Sequence, residues 1–385
     1  MHRGPAARFF AAVATLAALT LVVSGGASPA LADTIGGEQL ANTHRTVSLI
    51  PGGEPLPDVW AETWIIADAK TGEVLAQKGS HVQRPPASTL KMLTALTVLP
   101  RTSPDETYVA TERAAGIYGA RVGLKPGRTY TLDQLWYAVF LPSANDAALA
   151  VAEANGGVKK TIKQMNQLAD VLQAHDTVAR TPNGLDKPRQ VSSAYDLALI
   201  ARAGMAREDF STYAGTKRAM FPNVKGKGSH PIYTTNRLLL HGYRGMLGVK
   251  TGFTSKAGRT YVGAARRGGT TLLVTLMGIH ESSEAAARKL LDWGFANRTK
   301  VLPVGVLVDP IDTPVAVVTD APGTSSNAAV APHEGTPAAA NPSAAPTSLS
   351  TAVLWGAGAL ALILGGVFLL ALFGRRRSRG RHAAT

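Results

Sequence analysis

Arg84-Pro85-Pro86-Ala87-Ser88-Thr89-Leu90-Lys91 is the stretch from which the rest of the chain can be read. The Pro85-Pro86 pair ends an extended segment, and behind it Leu90, Leu93, Leu96 and Leu99 recur at helical spacing. A helix therefore starts near Ser88. Residues three apart on a helix share a face, which sets the Lys91 amine beside the Ser88 hydroxyl. The positive end of the helix dipole lowers the pKa of a nearby ammonium and stabilises an alkoxide. A serine hydroxyl is a poor nucleophile until a base takes its proton, and a partly desolvated lysine can be that base.

Upstream, Trp60 to Asp68 and Glu73 to Lys78 are β-prone runs around the turn Lys70-Thr71-Gly72, a hairpin. Downstream, helices fit Leu132 to Phe140, Asn145 to Ala154, Lys159 to Ala174 and Ser193 to Ala203. Strands return at Gly248 to Lys250, Thr260 to Ala265 and Thr270 to Met277, before a helix from Ser283 to Phe295. Strands at both ends with helices between them predict an α/β domain: one sheet built from the two ends of the chain and flanked by helices.

Two further motifs follow Ser88 and Lys91 in order. Ser143-Ala144-Asn145 stands at a loop-to-helix junction after Leu141-Pro142, and Lys250-Thr251-Gly252 ends a strand-like run. Similar triplets at Ser325-Ser326-Asn327 and Lys70-Thr71-Gly72 lie in a low-complexity segment and a hairpin turn, where such chemistry has no support. Taken singly, each motif is an ordinary helix cap or an exposed strand lysine. Together, S-x-x-K, S-x-N and K-T-G resemble the signature of the penicillin-binding proteins and β-lactamases. The contexts Arg84 to Lys91, Ser143-Ala144-Asn145-Asp146-Ala147-Ala148, Pro182-Asn183-Gly184-Leu185-Asp186 and Lys250-Thr251-Gly252-Phe253-Thr254 are similar to the low-molecular-mass D-alanyl-D-alanine carboxypeptidases over residues 57–298.

The resemblance implies the penicillin-binding-protein and β-lactamase-like fold, an antiparallel sheet flanked by helices with a helical block inserted. It also implies a hydrolase acting on the peptidoglycan stem peptide and acylated by β-lactam antibiotics. Ser88 would attack the carbonyl of the penultimate D-alanine and Lys91 would be its base. Ser143 and Lys250 would pass a proton to the departing D-alanine, and Asn145 would hold Lys91 and the substrate amide. The backbone N–H groups of Ser88 and Phe253 would form the oxyanion hole. Thr251, beside Gly252, would bind the terminal carboxylate with a cationic partner, for which Arg237 is the candidate because a guanidinium matches a carboxylate bidentately. No cofactor or metal is implied, and the nine His offer no H-x-x-x-H spacing. A class A β-lactamase would need a glutamate some way past S-x-N, and residues 176–186 contain none. A D,D-endopeptidase and a non-hydrolytic envelope receptor are the other readings of the same pocket.

Charge and composition describe the ends. Of 40 Lys+Arg against 26 Asp+Glu, Arg3 and Arg8 stand at the start and Arg375, Arg376, Arg377, Arg379 and Arg381 at the finish. Without those seven the balance is 33 against 26, which excludes a nucleic-acid binder by composition. The absence of Cys excludes a disulfide framework and a thiol nucleophile. Phe9 to Val23 is apolar and Ala30-Leu31-Ala32 is a small-x-small cleavage site, so residues 1–32 read as a signal peptide. Residues 33–56 read as a flexible leader and 57–310 as the catalytic domain. An Ala/Pro/Ser/Thr-rich stalk covers 311–350. Thr351 to Phe373 is 23 residues without a charge, long enough to span a bilayer, and the basic tail 374–385 belongs inside. The expectation is a bacterial, single-pass cell-membrane protein with its catalytic domain on the cell-wall side. Better-known relatives carry a second β-rich domain, for which the chain between the last helix and the stalk is too short; Val301 to Val318 reads as a strand remnant or a linker.

Overall fold

In the computed structural model, which describes residues 34–223 and 227–311, the two ends of the folded region share one sheet. Its N-terminal strands are β1 (Arg45–Leu49), β2 (Ala61–Asp68) and β3 (Glu73–Lys78). Two short hairpins stand apart from it, β4 (Thr107–Val109) with β5 (Thr129–Thr131) and β6 (Arg218–Pro222) with β7 (Ser229–Tyr233). The C-terminal strands are β8 (Met246–Thr254), β9 (Gly258–Arg267) and β10 (Thr270–Ile279), followed by β11 (Val301–Leu302) and β12 (Gly305–Val306). The order across the sheet is β11-β1-β3-β2-β10-β9-β8, all antiparallel, with β12 joined to β3.

Between the strands run α1 (Lys91–Val98), α2 (Glu112–Ala115), α3 (Leu132–Phe140), α4 (Asn145–Ala154), α5 (Val158–Val171), α6 (Ala194–Met205), α7 (Glu208–Gly215) and α8 (Arg237–Leu240). Helix α9 (Ser283–Asn297) follows β10. The boundaries of α3 have a local cause, because Thr131 and Gln134 form a reciprocal capping box at its start.

Both faces of the central strands are buried, and the pleat divides them. Ile65, Ala67, Leu273 and Met277 enter one core with α1, α3, α4 and α6, including Leu93, Trp136 and Leu197. Their neighbours Trp64, Ile66, Leu272, Val274 and Leu276 enter a second core against α9, through Ala286, Leu290 and Trp293. The helical block on the first face, containing α1, α3 and α4, carries two of the three motifs.

The leader expected at 33–56 is corrected. Glu38–Ala41 forms a 3-10 turn that buries Leu40 completely, and β1 lies in the sheet between β3 and β11. The signal was weak because polar scaffolding substitutes for apolar periodicity. The Gln77 amide donates to the Gln39 and Asn42 carbonyls and to Thr46 Oγ1, at 3.2, 3.0 and 3.0 Å. Leu40→Ala is accordingly expected to lower the unfolding free energy by about 2–5 kcal/mol. Chemical denaturation checks this; an unchanged midpoint would restore the flexible leader.

The segment after α9 supplies β11 and β12, so the strand-remnant reading of its first residues holds. The signal peptide, the tail, the proposed span and all of the stalk beyond residue 311 lie outside the described residues. Among the described residues no helix is long and apolar enough to cross a membrane.

Candidate active site

Ser88 lies on a 3-10 turn, Ala87–Leu90, which feeds directly into α1, so the α-helix begins at Lys91 and not at the serine. The three-residue spacing still serves. Lys91 Nζ is 2.7 Å from Ser88 Oγ, 2.8 Å from Asn145 Oδ1 and 2.7 Å from the Asn183 carbonyl. The turn is built under strain: Ala87 has a φ of 49°, a left-handed conformation that costs a non-glycine residue roughly 1–3 kcal/mol. Gly184 packs against it with a φ of +79°, and a Cβ there would overlap the Ala87 carbonyl.

Ser143 and Asn145 occupy the junction between α3 and α4. Ser143 is also left-handed, with a φ of 63°, and its Oγ accepts from Lys250 Nζ at 2.8 Å. Asn145 is held three ways. Its backbone N–H donates to the Ala120 carbonyl (2.7 Å), its Nδ2 to the Tyr118 carbonyl (2.9 Å), and its Oδ1 accepts from Lys91. Lys250, Thr251, Gly252 and Phe253 lie on β8, the outer strand of the sheet, which packs on the Ser88 turn. Gly252 has to be glycine here, since a Cβ would overlap Thr260 Oγ1 and stand 2.8 Å from the Ser88 backbone nitrogen.

Both lysines are out of water, Lys91 at 0% exposure and Lys250 at 1%. Burial holds Lys91 well below its ordinary range, and the Lys250 charge lowers it further against a smaller opposing effect of Asp146. Burial alone brings Lys250 down to about 7. Burial thus favours the neutral form of both amines.

These groups open on one cavity of about 880 Å³, lined by Ser88, Ser143, Asn145, Thr251, Gly252 and Phe253. Thr235 Oγ1 lies 2.7 Å from Thr251 Oγ1 and extends its polar wall. Arg237, on α8, also lines the cavity, but at the rim: its side chain is 69% exposed and its Nη1 is 3.6 Å from Glu284 Oε2. Among the charged residues that line the cavity, Arg237 and Arg259 stand with Asp186 and Glu284. Among the described residues no three His, Cys or acidic side chains gather where they could hold a metal ion.

Sequence reasoning assigned no role to Asp146, Asn183 or Thr235. Asp146, fully buried, accepts from the backbone N–H groups of Val122, Gly123 and Leu124 at 3.2, 2.9 and 3.1 Å. It ties the loop that carries Tyr118 and Ala120 to α4. Its adjacency to Asn145 was the one available signal.

The profile of the D-alanyl-D-alanine carboxypeptidase family matches residues 52–281. The D-alanyl-D-alanine carboxypeptidase DacB2 of Mycobacterium tuberculosis is 41% identical over 252 residues, covering 64% of this chain and 86% of that protein. The corresponding DacD of Escherichia coli is 32% identical over 266 residues, 66% of this chain and 67% of its own length. A crystal structure of a D-alanyl-D-alanine carboxypeptidase from M. tuberculosis superposes with a TM-score of 0.63 at 40% identity, over 67% of this chain and 99% of that one. A Streptomyces DD-transpeptidase superposes with a TM-score of 0.60 at 29% identity, over 63% and 100%.

Proposed function

The chain belongs to the D-alanyl-D-alanine carboxypeptidase family, and from that premise we propose how its own residues carry out the reaction. It is a serine-type D-Ala-D-Ala carboxypeptidase that removes the terminal D-alanine from peptidoglycan stem peptides. The carrying observation is the pair of buried lysines, each on a serine hydroxyl, with both serines lining one cavity.

Neutral Lys91 takes the Ser88 proton as Oγ attacks the penultimate carbonyl. The oxyanion forms against the N–H groups of Ser88 and Phe253, donors worth roughly 3–4 kcal/mol each in comparable enzymes. Collapse breaks the peptide bond, and the departing amine takes a proton from Ser143, which Lys250 replaces. Thr251, with Thr235 beside it, receives the terminal carboxylate. Arg237 contributes to that capture only after leaving Glu284. Water then cleaves the ester and frees Ser88. A penicillin opened by the same attack leaves its acyl group on Ser88, which makes β-lactams inhibitors.

We also propose that the protein is exported and held in the cell membrane by residues 351–373, with the catalytic domain on the cell-wall side. The supports are the cleavage site after Ala32, the uncharged 23-residue run and the basic tail behind it.

The test is incubation with a stem pentapeptide ending in D-Ala-D-Ala, expected to yield free D-alanine and the tetrapeptide. Cleavage of cross-linked dimers alone would establish the endopeptidase. A penicillin adduct without turnover of any peptide would establish the receptor.

A further inference from the structure

The loop from Asp176 to Ser192 brings the Asn183 carbonyl to Lys91 and lines the cavity with Leu185 and Asp186. It is internally stiff. Gln190 Oε1 accepts from the N–H groups of Arg180 and Thr181 and from Thr181 Oγ1, at 3.1, 2.8 and 2.9 Å, while its Nε2 donates to the Leu185 carbonyl at 2.8 Å. A stiff loop moves as a unit, so its neck helps to set its placement against Ser88, together with the bond of Thr94 Oγ1 to the Pro182 carbonyl and those of Asn166 to Ala179.

At the neck, Val178 and Val191 form an antiparallel bridge. Ser192 exchanges both backbone hydrogen bonds with Arg84, at 2.7 and 2.9 Å, just upstream of Ser88. Behind these contacts runs a buried polar chain. Ser192 Oγ lies 2.8 Å from Thr177 Oγ1, and Thr177 Oγ1 donates to Asp196 Oδ2 at 2.7 Å. Ser192, Thr177 and Asp196 are 0, 7 and 1% exposed, and Asp196 Oδ1 has no hydrogen-bond partner among the described residues. The mechanism uses none of the three.

We propose that Asp196 is a positioning residue for acylation: through Thr177 and Ser192 it fixes the neck of the Asn183 loop on the Arg84–Ser88 segment, and so sets the contacts of Lys91 with Ser88 and Asn183.

The hydroxyl chain can run in either direction. As a carboxylate, Asp196 accepts from Thr177, which in turn accepts from Ser192. Carrying a proton on Oδ2, Asp196 donates to Thr177, which donates to Ser192. The links survive in both forms, but a dry site with an unpartnered oxygen favours the neutral acid. Burial pushes the Asp196 carboxyl up to about 7, opposed by the Thr177 hydrogen bond, the field of His81 and the Asp176 backbone N–H, with the Asp176 charge adding to the rise. His81 Nδ1 and Asp176 Oδ2 are themselves 2.7 Å apart. The other titratable groups nearby, Tyr195 and Arg202, share its helix. The elements that also pack on α6 carry Lys91 on α1, Glu208 and Asp209 on α7, Glu62 and Asp68 on β2, and Arg259, Arg266 and Arg267 on β9. The charges that shift Asp196 come instead from Asp176 and His81. Because the folded value is raised, the stabilisation is complete below the ordinary carboxyl value of 3.8 and is lost as pH rises to about 7.

Three variants test this on the full chain with a fluorescent penicillin. Thr177→Val keeps the shape and removes the shared hydroxyl; it is expected to slow second-order acylation about tenfold with final labelling still stoichiometric. The loss then lies in the rate and not in the folded fraction. Ser192→Ala cuts the same chain at its other end and is expected to act in the same direction. Asp196→Asn, which keeps the shape and an acceptor but cannot ionise, serves as the reference for the stability contributed by the proton. The wild-type thermal midpoint should fall relative to that of Asp196→Asn between pH 4 and 7 and run parallel to it above. Wild-type acylation rates in whichever of Thr177→Val and Ser192→Ala fold would overturn the positioning role. Midpoints that stay parallel from pH 4 to 7 would overturn the assignment of the proton to Asp196. The proposal rests on the Ser88 acyl-enzyme, and a wild-type protein that takes no label would overturn that reading instead.

Discussion

Ser88→Ala is expected to abolish covalent labelling by a fluorescent penicillin and to lower D-alanine release by roughly 10⁴–10⁶-fold, while leaving the thermal midpoint close to wild type. The size of the first effect follows from chemistry: the adduct is an ester of Ser88 Oγ, and no other hydroxyl in the cavity has an equally available base. Ser143 is the nearest competitor, but its amine, Lys250, also donates to the Thr251 carbonyl and supplies the leaving-group proton, whereas Lys91 lies directly on the Ser88 hydroxyl. The small effect on stability follows from the contacts. Ser88 Oγ hydrogen-bonds Lys91, which keeps the Asn145 and Asn183 oxygens after the truncation. A folded Ser88→Ala protein that still labels would sink the assignment.

The Ser88–Lys91 pair could be read in the chain because it depends on a short-range rule, whereas the Ser143–Lys250 pair spans 107 residues and was legible only through the resemblance of its motifs. Lys91 reaches Ser88 across three residues, and a capping box marks the start of α3, which leads to Ser143. What escaped depends on contacts far apart in sequence. Asn183 meets Lys91 across 92 residues, and Glu284 reaches Arg237 from another helix, so nothing beside Arg237 indicated an acidic neighbour at the rim. The missed hairpin β6–β7 has a different cause. In the hairpin Phe221 and Ile232 are buried but Met220 and Tyr233 are half exposed, so the alternation that betrays a half-buried strand was diluted by exposed apolar residues. The central strands were easier, because both their faces are apolar and the runs stand out from any turn.

Those long-range contacts also decide which lysine is the base. Lys91 Nζ meets two oxygens that can only accept, the Asn145 Oδ1 and the Asn183 carbonyl, and one hydroxyl that can also donate, that of Ser88. A neutral amine has two donors and one lone pair. Two donors given to the two acceptors leave the lone pair pointing at the Ser88 proton, the arrangement a general base requires. Lys91→Met, nearly isosteric but without that lone pair, is therefore expected to slow acylation by about a hundred- to ten-thousand-fold in a protein that still carries Ser88. The pH profile adds a sign. Acylation should rise with pH as Lys91 loses its proton, along an arm displaced far to the acid side of an ordinary lysine. It should fall again above roughly pH 7, as Lys250, lowered to about 7, ceases to supply the proton for the leaving group. In Lys91→Met the acid arm should vanish and the alkaline arm remain. If the variant keeps the acid arm, or acylates within about threefold of wild type, the base is not Lys91, and the Lys250–Ser143 pair becomes the group that activates Ser88.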